Sequence, residues 1–274
     1  MSILKSLVKD WLPPAMVRAL RNLHGGGVRF KGNYATWQEA AAQCTGYAAA
    51  PILEKVLEAT LKVKRGEAAY ERDSVLLEKI EYSWPLLAGI MWAAARNNGR
   101  LNVLDFGGAL GSTYFQNRVL LRTLPEVSWN VVEQAHYVEA GQANIHSVEL
   151  KFHKSIDDCL TKNQPNVILL SSVLQYLESP YEILTKLAHA GADCMIIDRT
   201  PFSDHSEDKI AIQDVPPSIY AASYPMWIFS SQKLKNLLEV HWRMLASNLS
   251  PEAHVCTSDN FKFQFQGLLL ENRR

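Results

Sequence analysis

The rhythm of apolar and polar positions changes near residue 98. Before it, Leu76, Ile80, Trp84, Leu87 and Met91 recur three and four residues apart, which is one face of a helix. This predicts a helical stretch over about 67–97, kinked or split at Pro85, with Ser83 placed to cap its second half. Asn97-Asn98-Gly99 ends it, because glycine suits the position just past a helix. Amphipathic segments at 3–10, 15–23, 37–44 and 51–63 precede it, broken by Pro13-Pro14 and by Gly25-Gly26-Gly27. Thr36 is a good N-cap for the third, with Glu39 as its capping-box partner. Residues 1–97 are therefore expected to form an all-helical cap.

From residue 98 short apolar runs take over, at Leu101–Phe106, Trp129–Val132, Val167–Leu170 and Met195–Ile197, with a weaker one at Leu150–His153. Helical patterns at Thr113–Leu121 and Pro180–Ala188 separate them, which indicates βαβ units and a parallel sheet. The tail differs. A helix is expected at 231–239, a strand at 241–247, and a last strand with Phe261, Phe263 and Phe265 on one face and Lys262, Gln264 and Gln266 on the other. Such alternation suits an antiparallel strand. The expected fold class is α/β, with five parallel strands and a C-terminal antiparallel pair in residues 98–274.

Composition narrows the field little. The 274 residues are 47% hydrophobic and formally uncharged, with a pI near 7.1, which argues against a nucleic-acid partner. Cys44, Cys159, Cys194 and Cys256 lie far apart, so no zinc or disulfide framework is expected and a reducing cytoplasm fits. No apolar run is long enough to span a membrane. Residues 1–23 combine basic charge with an apolar face, so peripheral contact with a membrane surface is one reading, and docking on the main domain or a dimer contact is the other.

The chemistry-bearing segment is Asp105-Phe106-Gly107-Gly108-Ala109-Leu110-Gly111-Ser112, a strand running into a glycine-rich turn and then a helix. Glycines there let a ligand approach the backbone, and the helix start adds free N–H groups. The dinucleotide pattern G-x-G-x-x-G fails, because Phe106 falls in its first glycine slot. The pattern acidic-x-G-x-G-x-G fits as Asp105, Gly107, Ala109 and Gly111, with Gly108 in the same turn. With alanine in place of the middle glycine, this pattern predicts the turn of an S-adenosylmethionine (SAM) site, where Asp105 would bind the cofactor's ammonium directly or through water. Glu133, 22 residues after Gly111 at the end of the next strand, is placed for both ribose hydroxyls, with Gln134 beside it. Ser155 and Ile156 after the third strand are candidates for the adenine, Ser155 also being a plausible helix cap. Ser172 and Gln175 after the fourth strand are candidates for the cofactor's methyl end.

The run 105–115 resembles a family of SAM-dependent methyltransferases from bacterial surface-polysaccharide and O-antigen gene clusters. The resemblance extends to Gly32–Trp37, Tyr70–Ser74, Val173–Leu177, Asp198–Phe202, Ile219–Pro225 and Phe265–Leu270. It implies a class I, Rossmann-like methyltransferase fold and a surface-glycan context. The acceptor is then expected to be a small molecule or a glycan, modified at oxygen. Residues 198–229, rich in proline and aromatics, are expected to form an irregular loop walling the acceptor. His205 is the candidate base, Tyr220 and Tyr224 candidate acceptor contacts, and Arg199 a candidate for an anionic group. Arg72 or Tyr82 is placed to reach the cofactor's carboxylate. Two other readings stand beside this one, a catalytically silent methyltransferase-like subunit and an NAD-dependent oxidoreductase.

Overall fold

The computed structural model describes residues 28–45, 50–72, 74–216, 222–250 and 255–273. The segments at 3–10 and 15–23, the membrane reading of 1–23, and Tyr220 lie outside them.

The strands of the second half are β4 (Arg100–Phe106), β5 (Glu126–Val132), β6 (Leu150–His153), β7 (Val167–Ser171) and β8 (Cys194–Ser203), following β1–β3 nearer the N-terminus. They lie parallel in the order β6-β5-β4-β7-β8. The chain therefore starts at β4 in the middle, winds out to one edge, then returns to build the other. Neighbouring side chains alternate between two apolar cores. Val167 and Leu169 join one, with Leu86, Ile90, Phe115 and Val138 from helices α3 (Trp84–Arg96), α4 (Ser112–Leu121) and α5 (Ala135–Asn144). Ile168 and Leu170 join the other, with Cys159, Leu184 and Leu234 from α6 (Ile156–Lys162), α7 (Pro180–Ala188) and α8 (Ser231–Leu238). Burial on both faces is why these strands read as unbroken apolar runs.

Beyond β8 the sheet becomes mixed. The last strand, β13 (Lys262–Asn272), runs antiparallel to β8 and also pairs with β11 (Trp242–Leu249).

Two expectations need correction. Residues 198–229 are not an irregular loop. β8 runs on past Asp198 to Ser203, then β9 (Lys209–Val215) and β10 (Ala222–Ser230) pair antiparallel above the strand tips. β-Branched and aromatic residues such as Ile210, Ile212, Tyr224 and Trp227 favour a pleated, half-buried surface despite the prolines. Nor is the N-terminal region all helical. β1 (Arg29–Tyr34) pairs antiparallel with β9, and β2 (Tyr70–Arg72) and β3 (Val75–Leu77) form a hairpin where a helix was expected. Ser74 turns that hairpin at φ 67°. Leu76, counted on the expected helical face, is 39% exposed. Only the stretch from Trp84 is helical, with Pro85 in its first turn, where a missing N–H costs nothing.

The helices α1 (Trp37–Ala41) and α2 (Ala50–Arg65) match the expected segments. Thr36 Oγ accepts from Glu39 N at 3.2 Å, and the Glu39 carboxylate takes Ala35 N at 3.1 Å.

Candidate functional site

Two cavities open above the C-terminal ends of β4, β5, β7 and β8. The inner one, about 180 Å³, is lined by Asp105, Gly107, Gly108, Ser172 and Arg199, together with Tyr70, Arg72, Gln213 and Tyr224. The outer one, about 570 Å³, is lined by Glu133, Gln134, Ser155, Ile156, Ser172 and Val173 among others. Gly107, Ser172, Tyr176 and Tyr224 border both, so the two lie side by side.

The glycine turn owes its shape to its neighbours. Gly107 has φ +75°, and a Cβ there would meet Val173 Cγ2 at 2.3 Å. Gly111, at φ +89°, starts α4 against Leu150. Gly108 serves a different purpose, because its missing side chain leaves room for Asp105. A Cβ on Gly108 would stand 2.4 Å from Asp105 Oδ2. The carboxylate therefore lies directly under the turn, 1% exposed, accepting a hydrogen bond from Trp129 Nε1 at 2.8 Å. Burial pushes its pKa up to about 7, and the nearby Glu133 adds to the rise. The Trp129 bond and the Arg199 charge pull it back.

Glu133 directly follows β5, with its carboxylate at the rim of the outer cavity. It accepts from its neighbour Gln134 N at 2.6 Å and from the Ala109 backbone across the crevice. Burial raises its pKa and these bonds oppose the rise. Ser155 does both things expected of it. Its Oγ caps α6 through Asp158 N at 3.0 Å, and with Ile156 it lines the outer cavity.

Three non-glycine residues with positive φ border the inner cavity, Ala109 (48°), Ser172 (56°) and Arg199 (49°), at the tips of β4, β7 and along β8. Such backbone costs of order 1–3 kcal/mol per residue and gathers where side chains must be aimed. Arg199 Nη2 donates to Ser171 Oγ at 3.1 Å, and its Nε lies 3.3 Å from Asp198 Oδ2.

Several candidate residues are placed differently from expectation. Gln175 is fully buried and borders neither cavity; its Nε2 donates to Ser172 Oγ at 3.1 Å and to Arg199 O at 3.3 Å, bracing both strained residues. His205 sits on the exposed turn between β8 and β9, stacked on Phe261 at 4.3 Å, and borders neither cavity. It followed a strand that ends six residues beyond the apolar run Met195–Ile197. Tyr82 packs on Trp84 at 5.1 Å outside both linings, whereas Arg72 lines the inner cavity. His153, at a strand end, lies 3.3 Å from Asn130 Oδ1, and burial holds it below its ordinary pKa although the neighbouring Asp158 opposes the shift.

Sequence reasoning missed Tyr70, Tyr176 and Gln213. The first two fall within stretches that carry the family resemblance; Gln213 gave no signal, because only the pairing of β9 with β10 brings it over the site. Gln213 accepts from Tyr176 Oη at 3.0 Å and donates to Tyr224 Oη at 3.2 Å. The hairpin carrying Tyr70 and Arg72 is tied down by Glu71, which is 1% exposed and accepts from Ser112 Oγ on α4.

No family model and no curated protein matches the chain. Among solved structures, it is similar to the N-terminal domain of EvdMO1 in the presence of S-adenosylhomocysteine (SAH) and D-fucose. That likeness has 13% identity over 81% of this chain and 97% of that one, with a TM-score of 0.48. It is also similar to Burkholderia thailandensis 1,6-didemethyltoxoflavin-N1-methyltransferase with bound substrate and SAH, at 13% identity over 89% and 100% of the two chains and a TM-score of 0.40. A third is magnesium protoporphyrin IX methyltransferase from Synechocystis PCC 6803 with bound SAM, at 11% identity over 82% and 99% and a TM-score of 0.41. At such identities and scores these likenesses carry no inference to this chain, and its chemistry is argued from its own residues.

Proposed function

We propose that the protein is a SAM-dependent methyltransferase acting on a small or glycan-linked acceptor. The observation that carries this is the buried carboxylate of Asp105 beneath Gly108. A negative group under the turn attracts a cationic amino-acid tail and repels a diphosphate, so a SAM-type ligand fits where a dinucleotide does not. Glu133, at the rim of the neighbouring cavity, accepts ribose hydroxyls. Ser155, Ile156 and Val173 flank the base, and Arg72 pairs with the cofactor's carboxylate. The sheet order, with an antiparallel strand beside the fifth parallel one, agrees with the class I methyltransferase architecture that the sequence resemblance implies.

Bound SAM supplies a methyl group already activated on a cationic sulfur. The chain's own task is to hold the acceptor in line and keep water out. Arg199, Gln213, Tyr176 and Tyr224 overhang the inner cavity and form the acceptor wall. Alignment alone reaches effective molarities of about 10⁵–10⁸ M, so a hydroxyl acceptor gains most of its rate from this wall. Among the described residues lining the inner cavity, Asp105 is the one carboxylate and none is a histidine. That observation favours a second reading, a module that binds the cofactor without turnover.

Titration calorimetry with SAH and NAD tests the cofactor. Heat with SAH and none with NAD is expected, and Glu133→Ala weakens SAH about 10- to 100-fold through loss of hydrogen bonds to a charged group. Absence of SAH binding in the unaltered protein sinks the proposal.

A further inference from the structure

Trp129 stands in the middle of β5, fully buried, in register with Val103 on β4 and Leu150 on β6. Packing alone would accept any large apolar side chain there. An indole adds one thing to that list, an N–H, and here it points at Asp105 Oδ2 at 2.8 Å. Tyr114 of α4 packs edge-on against the ring at 5.9 Å, and its own hydroxyl is anchored on Glu149 Oε2 at 2.7 Å, so the indole also rests against a fixed neighbour. Trp129 itself borders neither cavity, while Asp105 borders the inner one. The chain thus runs from the core, through one hydrogen bond, to a carboxylate at the ligand site.

We propose that Trp129 is a positioning residue for cofactor binding, fixing the aim of Asp105 and setting the pH below which the inner cavity loses its hold on a cationic amino group. The inference rests on reading that cavity as the seat of the cofactor's amino-acid end. A hydrogen bond donated to a carboxylate favours its ionised form. The charged and titratable groups facing Asp105 are Glu133 at the end of β5, which opposes ionisation, and Arg199 from β8, which favours it. Arg72 and Tyr70 from β2 share its cavity. Burial sets Asp105 near neutrality, at about 7, so the Trp129 bond acts where a small displacement changes the charge state.

The test is calorimetry of SAH with the full chain at pH 6, 7, 8 and 8.5, comparing unaltered protein, Trp129→Phe and Asp105→Asn. The unaltered protein is expected to bind about tenfold tighter at pH 8 than at pH 6, following the ionised fraction. Trp129→Phe is expected to bind about tenfold more weakly at pH 7 and to regain most of the loss by pH 8.5. Asp105→Asn is expected to bind weakly with no such slope. A Trp129→Phe protein that binds as tightly as the unaltered one, or is weakened equally at every pH, overturns the proposal. No SAH binding by the unaltered protein overturns the cofactor reading itself, a distinct result. Should Trp129→Phe fail to fold, fluorine NMR of 5-fluorotryptophan-labelled protein decides. A resonance titrating near neutrality in unaltered protein and silent in Asp105→Asn supports the coupling, and its absence overturns it.

Discussion

At the scale of single residues, two adjacent glycines make separable predictions. Gly107→Ala places a methyl against Val173 in a backbone conformation that alanine disfavours. It should lower stability by about 1–3 kcal/mol in urea unfolding. Gly108→Ala instead displaces Asp105, so its cost should fall on SAH affinity, down about tenfold or more by calorimetry. Asp105 also makes ligand-free stability depend on pH. Its pKa rises from 3.8 to about 7 on folding, so between those values the folded chain binds more protons than the unfolded one. Stability therefore falls as pH rises through that window, by about 1–4 kcal/mol. Urea midpoints at pH 5 and pH 8 should show this fall, and Asp105→Asn should flatten it.

At the scale of elements, the site is assembled from pieces outside the parallel sheet. The β9–β10 pair carries Gln213 and Tyr224 over the strand tips, and β1 covers the outer edge of β9, with Lys31 paired to Asp214 at 2.7 Å. Deleting residues 1–34 exposes that edge, including Ile210 and Ile212, and should drive self-association visible by light scattering. His205 belongs to the turn at the opposite end of β8's extension, stacked on Phe261. His205→Ala should leave SAH affinity within about twofold of the unaltered value, well below the tenfold that 1.4 kcal/mol represents. A larger loss would return His205 to the site.

At the scale of the molecule, a ligand that bridges the two cavities touches β4, β5, β6 and β7 at their tips and the overhanging hairpin above them. Such a ligand binds the folded chain alone, so SAH at 100 times its Kd should add about 2.7 kcal/mol to stability. A rise of several degrees in melting temperature with SAH, and none with NAD, is the expected result. Among the described residues no helix is long and apolar enough to cross a membrane.

What the sequence determined by itself was local. The parallel strands were legible because burial on both faces writes an unbroken apolar run, and the glycine turn because its backbone tolerates few other residues. Asp105 and Glu133 followed, each lying at the end of a legible strand. Tertiary structure alone decided the rest. Leu76 begins a repeat at helical spacing and the helix was expected from about residue 67, yet the Glu71 contact with Ser112 and the left-handed turn at Ser74 hold residues 70–77 as a hairpin. Residues 209–230 are rich in proline and aromatics and read as an irregular loop, yet pairing across β8, β9, β10 and β1 makes them a sheet. A pattern of apolar spacing records which side chains are buried; it does not record which distant backbone accepts the remaining hydrogen bonds, and that choice placed Gln213, Tyr224 and Arg72 around the site.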